Sequence, residues 1–184
     1  MARTPSNMLP LGTKAPDFNL PDTISSSTMN YGEIKGTKGT VVMFICNHCP
    51  FVIHVNSMLV AIASIYGNKG IGFVAISSND VVNYPQDSPD NMKIHAKDVG
   101  YPFPYLYDES QEIAKAYDAA CTPDLYVFDA EDKLIYRGQL DNSRPGNQIP
   151  VTGSDLKHAI DCLLDNVENT MMQKPSIGCN IKWK

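Results

Sequence analysis

The sequence predicts one α/β domain whose central sheet mixes parallel and antiparallel strands. Its 184 residues are 43% hydrophobic, which is enough to fill one sizeable core. Residues 40–46 and 71–78 are apolar strand patterns on either side of a helical pattern, and such a βαβ unit pairs its strands in parallel. Residues 123–129 and 133–140 form two further strand patterns around a short acidic turn, which indicates an antiparallel hairpin.

The elements follow in order from the residue patterns. Residues 1–38 are rich in Pro, Gly, Ser and Thr, with short apolar pieces near Phe18 and Met29, and this predicts an extension with a small hairpin. The first core strand, "TVVMFIC", is continuously apolar and β-branched, as is typical of a strand covered on both faces. The core is expected over residues 39–167 and an extended tail over 168–184, all within a single domain spanning 1–184.

The helices are predicted from apolar spacing and from their end signals. From Pro50 onwards, apolar residues recur at helical spacing until Gly67, so we expect a helix there. Shorter helices are expected over 90–99 and 110–117. A last helix is expected over 154–167, with Ser154 as its N-cap.

Charge and cysteine content exclude several classes of function. The formal net charge is -5, which offers no broad attraction for nucleic acid or anionic membranes. The first residues lack the apolar core of about seven residues that a signal peptide has. No segment is expected to reach the length of a membrane span. Five cysteines, an odd number, do not form a secreted disulfide framework. We therefore expect a cytoplasmic protein with no membrane or nucleic-acid partner, in which a close cysteine pair is catalytic or binds a metal.

The stretch "FICNHCPFV" places Cys46 and Cys49 at the strand–helix junction. Proline is favoured at the first helical position, so Pro50 makes Cys49 the N-cap. Free backbone N–H groups and the helix dipole would then lower the pKa of the Cys49 thiol. Cys49 is the predicted nucleophile and Cys46 the predicted resolving thiol.

Less reactive interpretations of the same motif stay open. Both cysteines could be small apolar residues packed at a strand end. His48 could add positive charge that favours the Cys49 thiolate, or could lie in solvent without a role.

Three stretches of the sequence resemble a known family. The "LGTKAPDFNL" opening, the "CNHCP" motif after the first core strand and the later "TPDLYVFD" strand resemble the thioredoxin-fold redoxin group. That group includes alkyl hydroperoxide reductase and thiol-specific antioxidant proteins, and the match is best to small bacterial thioredoxin-like proteins with CNHCP. The resemblance implies the redoxin variant of the thioredoxin-like fold, an antioxidant or dithiol-exchange activity and no organic cofactor. It also implies a disulfide- or peroxide-bearing substrate and a reducing thiol partner.

The resemblance also implies a substrate groove beside the later strand. In thioredoxin folds the proline that begins this strand is cis, and here it is Pro123, preceded by Thr122. The backbone of Thr122 would then be free to bind an extended substrate. The alternative is an ordinary trans proline at the first residue of a strand.

The motif departs from the best-known patterns of the group. Thioredoxins would carry their second cysteine at Val52, and the hydroxyl of the peroxiredoxin pattern falls on Cys46. These departures favour dithiol exchange over efficient peroxide reduction. Two rival functions remain: Cu(I) binding of the Sco type through Cys46 and Cys49 with His48 or His54, and a non-catalytic binding module.

The other three cysteines receive separate interpretations. Cys121 precedes the Thr-Pro pair and is either an accessory redox thiol or a packed small residue, the second being favoured. Cys162 falls in the apolar pattern of the last helix and is expected in the core. Cys179, in the tail, could reach back as a resolving thiol or could be exposed.

Overall fold

The computed structural model describes residues 3–184, and we number the elements found there in chain order. The strands are β1 Arg3–Pro5, β2 Asn19–Pro21, β3 Thr28–Asn30, β4 Gly39–Phe44, β5 Ile71–Ser77, β6 Tyr105–Tyr107, β7 Cys121–Thr122, β8 Asp124–Asp129, β9 Leu134–Gly138 and β10 Ile177–Asn180. The α-helices are α1 Tyr31–Ile34, α2 Pro50–Gly67, α3 Pro89–Val99, α4 Glu112–Ala116 and α5 Ser154–Leu164.

The central sheet has the strand order β6-β5-β4-β8-β9. β5 runs parallel to both β4 and β6, whereas β8 is antiparallel to both β4 and β9. This is the mixed sheet of a thioredoxin-like fold, so the predicted fold class is confirmed. β6 was not expected as a strand, because three residues are too few to display a period of two.

The strand patterning follows from burial on two faces. All six residues of β4 are buried, as the continuous apolar run indicated. Alternate residues of the strand enter different clusters, with Val41 and Met43 packing on the side of α2, α3 and α5. Val42 and Phe44 pack on the side of the β2–β3 hairpin, α1 and the segment around α4.

Helix α2 has the predicted bounds and carries the site at its first turn. Cys49 is its N-cap residue and Pro50 its first helical residue, and Val52, Leu59 and Ile62 are buried against the sheet. With 18 residues, most of them apolar, α2 is long and apolar enough to cross a membrane by length and composition alone. The expectation that no segment reaches the length of a membrane span is therefore wrong for α2. In the structure the apolar side of this helix packs in the core.

The start of α5 differs from the prediction. The N-cap is Gly153, in the left-handed region at φ 67°, and Ser154 is the first helical residue. Glycine tolerates this conformation, and a Cβ there would also lie 2.7 Å from Ile62 Cδ1. The sequence favours Ser154 because serine commonly caps helices. The close approach of Gly153 to α2 is a tertiary feature, which the local sequence does not show.

Among residues 3–184, two small sheets lie outside the central sheet. β2 and β3 pair as the predicted N-terminal hairpin. The predicted extended tail contains β10, which lies between β1 and β7 in a three-stranded antiparallel sheet. In that sheet Cys179 is opposite Thr122, so the C-terminal segment reaches the strand–helix junction.

Candidate active site

Cys46 and Cys49 lie together in the turn that joins β4 to α2. β4 runs into the turn at Phe44, and Cys49 caps the helix. The two thiols are close enough for each to shift the pKa of the other, and their side chains are almost fully enclosed, with exposed fractions of 1% and 0%. All five cysteines lie in the described part of the chain and are thiols.

A cis peptide bond joins Thr122 to Pro123 beside these thiols. The cis geometry that the resemblance implied is therefore confirmed. The Cys49 thiol donates to the Thr122 carbonyl oxygen at 3.1 Å, and Cys46 Sγ lies 3.4 Å from Thr122 Oγ1. Thr122 therefore contacts both sulfurs, one through its backbone and one through its hydroxyl.

The surroundings shift the two thiol pKa values in opposite directions. A hydrogen bond from Cys46 lowers the pKa of the Cys49 thiol, Cys179 and Thr122 lower it further, and burial opposes them. The same contact raises the pKa of Cys46, together with burial and the negative charge of Asp87. Cys49 is therefore the first of the pair to lose its proton, and as a thiolate it no longer donates to the Thr122 carbonyl oxygen.

The cause of the low Cys49 pKa differs from the one expected from the sequence. Cys49 is the N-cap residue, but its side chain makes no capping hydrogen bond. Its sulfur points instead toward Thr122. The donors come from β10 and from Cys46 rather than from the first turn of α2, although the direction of the shift is the same.

His48 contacts a buried carboxylate. Its Nδ1 lies 2.7 Å from Asp87 Oδ2, and the His48 side chain is 24% exposed. The imidazole stacks on the Tyr84 ring, with centroids 5.9 Å apart. Of the two interpretations for His48, isolation in solvent is wrong.

Asp87 is the residue of this cluster that sequence reasoning missed. It lies in the loop after β5, fully buried, and accepts hydrogen bonds from the Asn47 backbone N–H at 2.9 Å and from Asn79 Nδ2 at 2.8 Å. Parallel strands β4 and β5 end at the same edge of the sheet, so their following loops meet. That topological rule was the available signal, because the spacing in sequence gives none.

The described residues also include one group with the composition of a metal site. The ligand atoms of Cys46, His48 and Asp87 lie within 4.8 Å of one another. However, Asp87 already accepts from two amides and contacts His48, so few of its lone pairs remain. The cluster fits an imidazole held by a carboxylate better than it fits a metal.

Cys121 and Cys162 do not join the two junction thiols. Cys121 Sγ lies 3.7 Å from the Pro123 carbonyl oxygen, and burial raises the pKa of the Cys121 thiol. Cys162 is buried in α5, 3.5 Å from His158 Nε2. The core location predicted for Cys162 is confirmed, and the location of Cys121 agrees with the packed alternative.

Cys179 lies at the other side of the Cys49 sulfur. β10 brings it opposite Thr122, close enough to Cys49 for its thiol and its backbone N–H to lower the pKa of the Cys49 thiol. The exposed fraction of Cys179 is 2%, so the exposed alternative is wrong.

The comparisons with known proteins identify the family. The redoxin family model matches residues 10–156. The chain belongs to the redoxin family. The comparison with curated proteins found no match.

Solved structures similar to this redoxin fall into two groups. An uncharacterized conserved protein from Geobacillus kaustophilus is 58% identical with a TM-score of 0.98, over 100% of this chain and 97% of that one. A hypothetical protein from Sinorhizobium meliloti is 45% identical with a TM-score of 0.96, over 98% of each chain. The thioredoxin domain of a thiol-disulfide oxidoreductase from Bacteroides vulgatus is 16% identical with a TM-score of 0.66, over 85% of this chain and 99% of that one. This last likeness shows the fold.

In this redoxin the space around the dithiol is closed. A cavity of about 20 Å³ remains between Pro123, Ile177 and Arg144. A larger cavity of about 620 Å³ is lined by Thr37, Asp129 and other residues at the opposite end of β4. No substrate can reach Cys49 until part of its cover moves, and β10, paired with Thr122, is packed over this part of the junction.

Proposed function

We propose that this redoxin is a thiol-disulfide oxidoreductase in which Cys49 is the nucleophile and Cys46 the resolving thiol. The observation that carries the proposal is the contact between the two thiols against Thr122 at the cis peptide bond. A solved structure with the same fold is described as the thioredoxin domain of a thiol-disulfide oxidoreductase, which supports the same class of reaction.

The reaction consists of two exchanges at sulfur. The Cys49 thiolate attacks one sulfur of a substrate disulfide, forming a mixed disulfide and releasing a thiolate that takes up a proton. Cys46 then loses its proton and attacks Cys49 Sγ, which forms the Cys46–Cys49 disulfide and releases the second substrate thiol. The substrate gains two electrons and the dithiol loses two. An external thiol reductant restores the dithiol by the reverse steps.

The surroundings of Cys46 suit a thiol that acts second. Burial and the nearby Asp87 charge raise the pKa of Cys46, so it stays protonated and donates to the Cys49 thiolate before the reaction. Once Cys49 is part of a mixed disulfide it is no longer a thiolate, so the proton of Cys46 no longer stabilises a negative charge there. His48, held against Asp87, lies beside Cys46 as the polar group of the site that reaches solvent.

Substrate entry requires a rearrangement of the tail. β10 pairs with Thr122, the residue whose backbone would bind an extended substrate in this fold. The reaction therefore proceeds from an open form in which β10 has separated from β7.

Alkylation with iodoacetamide as a function of pH tests the proposed nucleophile. We compare the wild type with Cys46→Ser, Cys49→Ser and the matched control Cys162→Ser, each mapped by mass spectrometry. Cys49 should reach its maximal rate at a lower pH than a cysteine in an unstructured peptide, because only the thiolate reacts. Since alkylation also needs β10 to open, the pH midpoint is compared rather than the absolute rate.

Trapping of mixed disulfides tests the proposed order. With oxidised glutathione, and with Cys179→Ser present in both proteins so that Cys179 cannot resolve the mixed disulfide, Cys46→Ser should accumulate glutathione on Cys49, whereas Cys49→Ser should accumulate none on Cys46. The reverse pattern, or a Cys49 midpoint equal to that of the peptide, would reject the assignment.

A further inference from the structure

We propose that Cys179 is a third redox thiol, which takes the disulfide over from Cys46 and covalently joins β10 to Cys49. This inference deepens the proposed function and rests on its Cys46–Cys49 chemistry. The inference pairs β10 with the strand–helix junction. The two cysteines concerned, Cys49 and Cys179, lie 130 positions apart in the sequence.

The first support is the position of Cys49 between two thiols. Its sulfur lies 3.1 Å from the Thr122 carbonyl oxygen, Cys46 Sγ lies 3.4 Å from the hydroxyl of the same residue, and β10 places Cys179 directly opposite Thr122. Disulfide exchange requires a thiol next to the sulfur that it attacks. Cys179 already occupies that place before any reaction has occurred.

The second support is the register of β10, which is held by several contacts. Cys179 lies opposite Thr122 and Asn180 opposite Cys121, while β1 pairs along the other edge of the strand. Gly178 packs so closely on the Thr122 carbonyl that a Cβ there would collide with it. A slip of one residue would direct the Cys179 side chain to the opposite face, so this register keeps its sulfur at Cys49.

The third support is the chemical environment of the Cys179 thiol. Burial and its hydrogen bond to Cys49 raise its pKa, so in the reduced site it is a thiol that donates to the thiolate. Formation of the Cys46–Cys49 disulfide, at the expense of the substrate disulfide, removes that thiolate and its share of the cost of ionising Cys179, while burial still raises the Cys179 pKa. The site thus releases its third thiol for attack only after the first disulfide has formed.

The exchange step is balanced within the chain. Cys179 loses its proton and its thiolate attacks Cys49 Sγ. The Cys49–Cys179 bond forms, the Cys46–Cys49 bond breaks, and Cys46 leaves as a thiolate that takes up the proton. No electrons enter or leave, because one disulfide replaces another. The new disulfide fixes β10 over the junction and closes the substrate site until an external thiol reduces it.

The test joins the thiols with diamide, an oxidant that forms disulfides without a substrate disulfide. Trypsin does not cleave the Lys174–Pro175 bond, so Cys162 and Cys179 stay on one tryptic peptide. All proteins therefore carry Cys162→Ser, and fragmentation of the linked peptides distinguishes Cys46 from Cys49, which share the tryptic peptide 39–69. After oxidation, acid quenching and alkylation, disulfide-linked peptides are identified by mass spectrometry in this background, with and without Cys46→Ser and Cys179→Ser.

The Cys46→Ser protein should yield Cys49–Cys179 as its main disulfide, about tenfold over Cys49–Cys121. The background protein should yield both Cys46–Cys49 and Cys49–Cys179. Hydrogen exchange at residues 177–180 should slow in the oxidised Cys46→Ser protein and not in the Cys179→Ser protein. If Cys46→Ser does not fold, Cys46→Ala replaces it at this buried position.

The inference is overturned if Cys179 remains fully alkylated while Cys49 pairs with Cys121 or with another chain. It is also overturned if Cys49–Cys179 forms without slowing exchange in β10. Failure of the proposed function looks different: oxidised glutathione then leaves Cys49 unmodified, while diamide still joins Cys49 to Cys179.

Discussion

At the scale of single residues, Thr122 is where the two junction thiols and the C-terminal strand meet. Its carbonyl accepts from Cys49, its hydroxyl contacts Cys46, and its backbone pairs with Cys179. A threonine differs here from an isosteric valine only in the hydroxyl, so its contribution to thiol chemistry can be separated from its contribution to the backbone.

Replacing Thr122 by valine should raise the pH midpoint of Cys49 alkylation. The hydroxyl lowers the pKa of Cys49, and loss of one hydrogen bond to a charged group shifts a pKa by about one unit or less. Thr122→Ser keeps the hydroxyl and should keep the midpoint. A Thr122→Ser midpoint that moves as far as that of Thr122→Val would mean that packing, rather than the hydrogen bond, is responsible.

The residue scale also shows the reach of sequence reasoning about the site. Pro50 and Cys49 were placed correctly, because proline at the first helical position is a local preference. The cis bond at Pro123 came from the family resemblance, since local energetics favour trans. Sequence reasoning missed Asp87 and left Cys179 with two alternatives, because both contacts depend on which loops and strands the fold brings together.

At the scale of elements, β10 is the cover of the site. It has four residues, yet it lies between β1 and β7 and places Cys179 opposite Thr122, the residue that contacts the Cys49 sulfur. Gly178 is the position at which β10 approaches β7 too closely for a side chain.

Gly178→Ala should therefore loosen β10 and expose Cys49. The added Cβ would collide with the Thr122 carbonyl, so we expect Cys49 in the reduced protein to be alkylated faster, by about tenfold if local opening becomes easier by roughly 1.4 kcal/mol. Gly67→Ala, at the end of α2 where a Cβ meets nothing within 4 Å, serves as the matched control. An unchanged rate with Gly178→Ala, while thermal unfolding stays cooperative, would argue that another element controls access.

At the scale of the whole molecule, the buried carboxyl group of Asp124 affects how the stability of the fold depends on pH. Asp124 directly follows the cis proline and is fully buried at the start of β8. Tyr126 donates to its Oδ2 at 3.1 Å. Burial is the main cause that raises the pKa of Asp124, to about 7.

This raised pKa predicts that the contribution of Asp124 to the free energy of unfolding falls as the pH rises from about 4 to about 7, whereas the lowered pKa of Cys49 acts in the opposite direction above about pH 5. Over that range the unfolded state has lost the Asp124 proton and the folded state still holds it, so folding takes up a proton. Above pH 7 the loss is complete, at up to about 4 kcal/mol from a shift of about three units. Asp124→Asn should then be more stable than the wild type at pH 8, with little difference at pH 4.

Urea unfolding at several pH values measures this effect. Asp165→Asn, at an exposed aspartate next to the end of α5, controls for the loss of one acid. A difference in free energy of unfolding between Asp124→Asn and the wild type that does not grow from pH 4 to pH 8, or an equal pH dependence in both variants, would contradict the prediction.

The sequence by itself determined the mixed α/β sheet, the βαβ unit, the bounds of α2 and the pairing of a cysteine motif with the start of that helix. These are local properties, since apolar period and the position of proline act over a few residues. Only the tertiary structure decided that β10 adds to β7, that Asp87 reaches His48 and that Cys179 meets Cys49. Each of these joins segments that lie far apart in the chain, and their proximity is fixed by strand order and register.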